Sequence, residues 1–187
     1  MTKLILLRHE KRESFPGFFS NLTQEGFKDA FFLERKLKKM KIDVLFCSPF
    51  VRTVQTIFPY CLKNDTQINI EYALHEYKHN PYFFIEPEIY SYTDIPNKLL
   101  HSIINQKYKS FIKKDKGFNF NFLENEENLE KRTHSFLKYL STNKKYKNKT
   151  VLCVAHKGVI NKIKQLLNKK VKMDDDFPMG SFEIFNI

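Results

Sequence analysis

The sequence predicts an α/β fold, a three-layer αβα sandwich whose central sheet is mostly parallel and carries helices on both faces. Two apolar runs, at 4–7 and 150–155, lack polar alternation, which is typical of strands that are buried on both faces. Strand-like and helical patterns alternate along the chain, as they do in βαβ units. The 187 residues contain no internal repeat and no linker-like stretch, so we expect one domain over 1–187.

The first half of the chain is predicted to contain two strands, each followed by a helix. The strand at 4–7 ends in charged residues, and Thr23 can cap the helix that comes after it. Apolar residues at helical spacing predict the buried face of that helix. They are Phe27, Ala30, Phe31, Leu33, Leu37 and Met40. The run at 42–47 predicts the second strand, and the Ser-Pro pair at 48–49 begins a helix that we expect to end at Pro59.

The second half is predicted to contain, in order, a strand, two helices, a strand, a further helix and an edge strand. Their expected ranges are 68–73, 98–113, 124–140, 150–155, a helix through Leu167, and 179–187. The aromatic segment at 77–122 is expected to form a lid over the functional site. Its candidate wall residues are Tyr77, Tyr82, Phe83 and Phe84, although packing beneath the lid would explain the same residues equally well.

The composition restricts the kinds of partner. A formal charge of +11 favours anionic partners, but the cations are dispersed and no RNA-recognition or zinc-finger pattern accompanies them, so nucleic acid is not the expected partner. Cys47 and Cys153 fall within apolar runs, which indicates reduced, buried thiols. We see no signal peptide and no apolar run of ~20 residues, so we expect a cytoplasmic protein without a membrane partner.

Basic and imidazole side chains follow three of the predicted strands. Arg8 and His9 follow the first strand, Ser48 and Arg52 follow the second, and His156 follows the one at 150–155. Because parallel strands present their carboxyl ends at the same edge of a sheet, we expect these groups to lie close together. Arginine binds phosphate in a bidentate manner, and nearby guanidinium charge keeps a histidine neutral and nucleophilic. The sequence therefore predicts a phosphate site at this edge.

Five short motifs, in order along the chain, carry a resemblance to a known family. They are Leu7-Arg8-His9, Leu22-Thr23-x-x-Gly26, Cys47-Ser48-Pro49-x-x-Arg52-Thr53-x-Gln55-Thr56, Leu74-x-Glu76 and Val154-Ala155-His156-x-Gly158. Together they resemble the histidine phosphatase superfamily, which has the phosphoglycerate mutase-like fold. The residues of the third and fourth motifs look most like those of the branch that contains the suppressor-of-T-cell-receptor-signalling proteins.

The resemblance implies a metal-independent phosphomonoester hydrolase without a cofactor, acting on a phosphorylated small molecule or phosphoprotein. His9 would form a phosphohistidine, and Glu76 would act as general acid and base, a role that needs a raised carboxyl pKa. The implied phosphate-binding residues are Arg8, Arg12, Arg52 and His156, of which Arg8 and His156 also belong to the implied catalytic set. Glu71, Glu86 and Glu88 lie near enough in the sequence to compete with Glu76 for the acid role.

Three alternatives remain at this point. Glu10 replaces the family glycine after His9, and a carboxylate there would repel a phosphate dianion unless it turns away or pairs with Lys11 or Arg12; an inactive phosphate-binding relative is therefore one alternative. A mutase is less expected, because the chain has little room for the insertions of such enzymes. The segment 75–79 also matches the H-E-x-x-H zinc protease pattern, but Pro81 follows it and the pattern requires a helix.

Overall fold

A computed structural model describes residues 1–77, 98–112 and 123–187, and the backbone of 89–90 and 118–119. The main sheet has five strands in the order β3-β2-β6-β1-β7. These strands are β1 (Lys3–Arg8), β2 (Val44–Cys47), β3 (Asn69–Ile70), β6 (Thr150–Ala155) and β7 (Phe182–Asn186). All pairings are parallel except that of β7, which runs antiparallel along β1 at the edge. A separate antiparallel pair joins β4 (Ile89–Tyr90) and β5 (Phe118–Asn119).

Helices cover both faces of the sheet. They are α1 (Gln24–Lys38), α2 (Val51–Lys63), α3 (Lys98–His101), α4 (Glu126–Thr142) and α5 (Lys157–Leu166). Ile5 and Leu7 of β1 pack with residues of α1 and α2, whereas Leu4 and Leu6 pack with residues of α4 and α5. This division explains the uninterrupted apolar run, since both faces of the strand are buried. The predicted mostly parallel α/β sheet with helices is confirmed.

The structure corrects the predicted limits of two helices. α2 begins at Val51 rather than at the Ser-Pro pair 48–49, and it continues through Pro59. Proline lacks the N–H that would bond to Gln55, but Ile57 and Cys61 on either side of Pro59 are buried in the core. Apolar burial on both sides of the proline offsets the loss of one hydrogen bond, so the helix is not terminated there.

The prediction of one helix over 98–113 is also wrong, because α3 ends at His101. After His101 the chain forms a parallel bridge to Ile68, just before β3, instead of continuing as a helix. Ile68 donates its N–H to the carbonyl of Ile103 (2.8 Å) and accepts the N–H of Asn105 (2.9 Å). This short parallel bridge buries Ile103 and Ile104 without a helix.

The face of α1 that is turned to the sheet differs from the prediction. Ala30, Leu33 and Leu37 are buried as expected, and Thr23 caps the helix by accepting the N–H of Gly26 at 3.0 Å. Phe27 and Phe31, which were predicted to be buried, are 36% and 50% exposed. The buried arc is thus narrower and lies to one side of the phenylalanines. Among the described residues, no helix has the length and apolar content needed to cross a membrane.

Candidate active site

The register of the sheet brings three strand ends to one edge. Arg8 pairs with Ala155, and Cys47 pairs with Val154, so β1, β2 and β6 end side by side. The next residue of each strand continues the ladder: His9 donates its N–H to the carbonyl of Ala155 (3.1 Å), and Ser48 donates to that of Val154 (3.0 Å). The strand-end prediction therefore places His9, Ser48 and His156 correctly next to one another.

The imidazole of His9 is buried and held in one orientation. Its Nδ1 lies 2.7 Å from the carbonyl oxygen of Glu10, which can only accept, so Nδ1 carries the proton and Nε2 carries the lone pair. Burial lowers the pKa of His9 well below its usual range, and the charges of Arg52 and His156 lower it further. His9 is therefore a neutral imidazole at neutral pH with Nε2 available for attack.

His156 forms the second imidazole of the site, with its ring centroid 5.3 Å from that of His9. Its Nε2 shares a hydrogen bond with the hydroxyl of Ser48 (2.8 Å), and its Nδ1 lies 3.2 Å from Oε2 of Glu76. Burial lowers the pKa of His156 to about 4, with the charge of Arg52 acting in the same direction and that of Glu76 opposing it.

Arg52 supplies a permanent positive charge at the base of the site. It is fully buried, and its Nη1 donates to the carbonyl of Gly17 (2.8 Å). Its Nη2 lies 3.3 Å from both the Glu76 carboxylate and Nδ1 of His156, and its guanidinium carbon lies 4.5 Å from the ring centroid of Phe50. A buried guanidinium in this position is stable only beside a negative charge, which a carboxylate or a bound oxyanion can supply.

Two further arginines line the open side of the site. Arg8 donates from Nη1 to the carbonyl of Phe177, and its buried Nε atom has no hydrogen-bond partner among the described residues. Arg12 donates to the carbonyls of Glu13 and Ser14. Burial lowers the pKa of both guanidinium groups, which remain charged at neutral pH. The unpartnered Nε of Arg8 is a donor that an oxyanion can satisfy.

A cavity of about 370 Å³ opens above these groups. Its lining residues are Arg8, His9, Arg12, Glu76, Tyr77, Lys157, Gly158, Met173 and Asp174. Of the predicted site residues, Arg8, His9, Arg12 and Glu76 face this cavity, while Arg52 and His156 lie fully buried behind it. Tyr77 is the one predicted wall residue that falls within the described part of the chain. Tyr82, Phe83 and Phe84, together with most of the predicted lid at 77–122, lie outside the described residues.

The charges of the site favour an anion over a metal ion. Donor atoms of His9, Glu76 and His156 lie within 4.8 Å of one another, which is a spacing that could hold a cation. However, the guanidinium of Arg52 already contacts both Glu76 and His156 at 3.3 Å. A cation among these ligands would face a fixed positive charge, whereas an oxyanion would be attracted by it.

The Glu76 carboxyl differs from its predicted state. Burial alone would raise its pKa, but His156, Arg52 and His9 lower it below its ordinary value, and Arg52 is the one of these that is always charged. The raised pKa that the acid role requires is therefore not produced by these protein partners. Of the competing carboxyls, Glu71 is fully buried and Glu86 and Glu88 lie outside the described residues.

The carboxylate of Glu71 is held by hydrogen bonds within the protein. It accepts from the N–H groups of Ala73 (2.9 Å) and Phe111 (2.8 Å) and from the hydroxyls of Tyr108 and Ser110. This carboxylate fixes the chain after β3 and does not line the cavity.

Comparison with known proteins identifies the family. The sequence profile of the histidine phosphatase superfamily (branch 1) matches residues 19–185. The chain belongs to this superfamily. The matched range begins after Arg8 and His9. The assignment of these two residues to the site therefore rests on the geometry of the sheet edge and not on the profile match. No curated protein matches the sequence at a significant level.

Solved histidine phosphatases share the fold of the whole chain. A mycobacterial glucosyl-3-phosphoglycerate phosphatase is 14% identical with a TM-score of 0.66, over 98% of this chain and 89% of that one. The ecdysone phosphate phosphatase of Bombyx mori, solved with tungstate, is 12% identical with a TM-score of 0.65, over 98% and 88%. The α-ribazole phosphatase of Shigella flexneri is 18% identical with a TM-score of 0.64, over 99% and 90%.

The Leu-Thr-x-x-Gly motif of this histidine phosphatase fastens the loop after His9 to α1. Thr23 donates its N–H to the carbonyl of Lys11 at 2.9 Å. A Cβ added to Gly26 would lie 2.1 Å from the same carbonyl oxygen, so only glycine permits this approach. Lys11 itself pairs with Glu25 of α1. Lys11 therefore does not pair with Glu10, as one of the sequence alternatives would have required.

The side chain of Glu10, which raised the inactive alternative, does not line the cavity. Its carboxyl is turned onto Gly180, where a Cβ would lie 2.3 Å from both carboxyl oxygens, and Gly180 has φ +72°. The N–H of Glu10 donates to Thr56 (2.9 Å), and the N–H of Gly180 donates to the carbonyl of His9 (3.2 Å). The absence of a side chain at 180 thus makes room for the Glu10 carboxyl, which lies outside the cavity lining.

The buried carboxyl of Glu10 gives this histidine phosphatase a pH-dependent stability. Burial raises the pKa of Glu10 to about 7, with Asp29 adding to the shift and Lys36 opposing it. The pKa of Glu10 in the folded protein is above its ordinary value of 4.5. The neutral carboxyl therefore contributes its full stabilisation below pH 4.5, and this stabilisation is lost as the pH rises through 7. Ionised Glu10 then costs about 2–3 kcal/mol.

We therefore expect Glu10→Gln to stabilise the protein by about 2–3 kcal/mol at about pH 8 and to have little effect at about pH 5. Urea unfolding at the two pH values measures this difference. Glu13→Gln, at an exposed position of the same loop, is the control and should change stability at neither pH. An equal effect of Glu10→Gln at both pH values would show that the ionisation of Glu10 is not responsible.

The zinc protease pattern at 75–79 does not form its helix in the described residues. His75 ends a short 3₁₀ turn, Tyr72–Leu74, with extended backbone angles of φ −60° and ψ 158°. Glu76 is then directed to Arg52 and His156, as described above, and His79 lies outside the described residues. The pattern needs two histidines on one helical face, so its first half is incompatible with the fold.

Sequence reasoning did not assign a role to Ser48, Lys157, Met173 or Asp174. Ser48 was placed at the sheet edge because it follows β2 as His156 follows β6 and these strands are neighbours, but its hydrogen bond to His156 was not predicted. Lys157 is adjacent to His156 in the sequence and is the first residue of α5. Met173 and Asp174 come from a loop that Asn161 of α5 holds through carbonyl contacts, for which the sequence contains no signal.

Proposed function

We propose that this protein hydrolyses phosphomonoesters through a phosphohistidine on His9. The observation that carries the proposal is the orientation of His9, whose protonated Nδ1 is held by the Glu10 carbonyl. Its Nε2 lone pair then faces a cavity whose lining includes Arg8 and Arg12. Family membership supports phosphatase activity, and the silkworm relative was solved in complex with tungstate, an oxyanion.

In the first step, Nε2 of His9 attacks phosphorus and the bond to the leaving oxygen breaks. Arg8, Arg12 and Arg52 bind the phosphoryl oxygens, and His156 donates to one of them as charge develops. Glu76 gives a proton to the leaving oxygen. In the second step the Glu76 carboxylate accepts a proton from water, which attacks the phosphohistidine and releases phosphate and neutral His9.

The low pKa of Glu76 beside Arg52 and His156 is consistent with this role if the substrate replaces these partners. A phosphoryl dianion competes with the carboxylate for Arg52 and His156, both of which contact Glu76 directly. Once these groups bind the phosphoryl oxygens, Glu76 loses its compensating charge and faces a new anion. Both effects raise the pKa of Glu76, so the carboxyl becomes an acid only when substrate is bound.

The substrate we propose is a phosphorylated small molecule. The three solved relatives described above are named as phosphatases of ecdysone phosphate, glucosyl-3-phosphoglycerate and α-ribazole, all of which are small molecules. In this chain, Tyr77, Lys157, Met173 and Asp174 would contact the leaving group, because they line the same cavity as His9. We further propose that 1–187 is one cytoplasmic domain in which the segment 77–122 closes over this group.

Turnover of 4-nitrophenyl phosphate by the wild-type protein tests the proposal. We expect hydrolysis that is unaffected by a metal chelator and is inhibited by vanadate, which mimics the pentacoordinate phosphorus of the transition state. Measurable phosphate binding without turnover would instead favour the inactive, phosphate-binding alternative. Chelator-sensitive turnover would contradict the metal-independent mechanism.

A further inference from the structure

The outer face of α1 exposes an unusual number of aromatic side chains. Phe27, Phe31 and Phe32 are 36%, 50% and 59% exposed, and Leu62 at the end of α2 is 58% exposed. At 100° per residue, the three phenylalanines lie within an arc of about 140° of α1, which points away from the sheet. Burial in the protein core therefore does not explain these side chains.

Cations occupy the same arc. All four cations are exposed: Lys28 lies between Phe27 and Phe31, and Arg35, Lys38 and Lys39 follow Phe32 on the next turns of the same arc. The guanidinium carbon of Arg35 lies 5.8 Å from the ring centroid of Phe32, and Nζ of Lys63 in α2 lies 5.9 Å from that of Phe31. Charged and aromatic groups are thus neighbours on one surface, which we call the α1 face: Phe27, Lys28, Phe31, Phe32, Arg35, Lys38 and Lys39, with Leu62 and Lys63.

A cavity of about 560 Å³ lies within the α1 face. It is lined by Arg35, Lys38, Lys39, Lys63 and one carboxylate, Glu34. Glu34 is buried and pairs with Lys63 at 3.2 Å, so the charge that remains towards solvent is positive. The cavity is large enough for a phosphate-bearing headgroup and complements its charge.

We propose that the α1 face docks on the surface of an anionic membrane. Neighbouring phenylalanines and cations on the outside of an amphipathic helix suit interfacial binding, in which rings enter the acyl boundary and cations bind acidic headgroups. A second copy of the same face is disfavoured, because like charges would meet. The absence of a membrane-spanning segment led us to expect no membrane partner, but a surface contact does not need one. The inference does not depend on the phosphatase activity.

Co-sedimentation with lipid vesicles tests the proposal on the full chain. We expect binding to phosphatidylcholine vesicles that contain about 30% phosphatidylserine to exceed binding to pure phosphatidylcholine about tenfold or more, and to weaken between about 0.1 M and about 0.5 M salt. Phe31→Ser with Phe32→Ser, and separately Lys38→Glu with Lys39→Glu, should each reduce binding about tenfold. Both pairs are exposed, so thermal midpoints should stay close to wild type.

Two matched controls separate the α1 face from general surface effects. Leu123→Ser removes an apolar side chain of similar exposure, 55%. Lys144→Glu with Lys145→Glu reverses two lysines after α4, on the opposite layer. Both controls should bind acidic vesicles as wild type does. Equal binding to the two vesicle types, wild-type binding by the phenylalanine variant, or a dimer that dissociates in that variant would overturn the proposal, as would binding to polyglutamate in preference to acidic vesicles.

Discussion

Replacing His9 by alanine is expected to lower kcat for 4-nitrophenyl phosphate by on the order of 10⁴-fold, because no other described side chain offers a lone pair to phosphorus in the same position. His156 cannot substitute for it, since its Nδ1 contacts Glu76 and Arg52 and its Nε2 contacts Ser48. Arg8, Arg12 and Arg52 remain, so inorganic phosphate should still bind. Steady-state kinetics together with calorimetric titration of phosphate separate loss of chemistry from loss of the site.

His134→Ala is the control for this experiment. His134 is exposed on α4, so its removal should leave kcat and KM unchanged. The His9→Ala protein must also show a cooperative thermal transition near that of wild type, which excludes simple unfolding. Turnover by His9→Ala within about tenfold of wild type would show that another group is the nucleophile.

Glu76→Gln is expected to have an effect that depends on the leaving group. For an alkyl phosphate, whose leaving oxygen must be protonated, kcat/KM should fall about 10²–10³-fold, whereas 2,4-dinitrophenyl phosphate needs no acid and should lose far less. The alkaline limb of the kcat profile should also disappear, because it reports deprotonation of the acid in the substrate complex. Rates measured across a series of leaving groups and pH values test both expectations.

Glu71→Gln provides the contrast for the acid assignment. The Glu71 carboxylate is saturated by internal donors and does not line the cavity. Its replacement should lower stability by about 1–3 kcal/mol, because a buried acceptor is lost, without changing the leaving-group dependence. If Glu76→Gln reduced the rates of all substrates equally and Glu71→Gln altered the leaving-group dependence, the acid would have to be reassigned.

The residues that meet at the sheet edge could be predicted from sequence, because the end of each strand is visible in the local sequence pattern. An apolar run fixes where a strand ends, and parallel neighbours put their ends together, so Arg8, His9 and His156 could be placed beside one another without a structure. Ser48 follows the same rule. The bounds of β6 match the predicted 150–155, and β1 extends the predicted 4–7 by one residue at each end, so Arg8 ends the strand. Both strands are buried on both faces, which gives them a clear apolar pattern.

Other features depend on contacts between distant parts of the chain. Periodicity shows that α1 is amphipathic but not which arc meets the sheet, so Phe27 and Phe31 were misassigned. The direction of the Glu10 carboxyl depends on a gap at Gly180, far along the sequence. The pKa of Glu76 likewise depends on Arg52 and His156, whose partnership with it appears only in the folded protein.

The central claim is that His9 carries the phosphoryl group during turnover. Rapid quenching of the wild-type protein with an aryl phosphate into alkali, where phosphohistidine survives, followed by peptide mass spectrometry, tests this claim directly. We predict a single phosphoryl group on His9 that forms and decays within the turnover time and is absent in His9→Ala. A phosphoryl group on another residue, or rapid turnover with no phosphorylated protein at any time point, would contradict the mechanism.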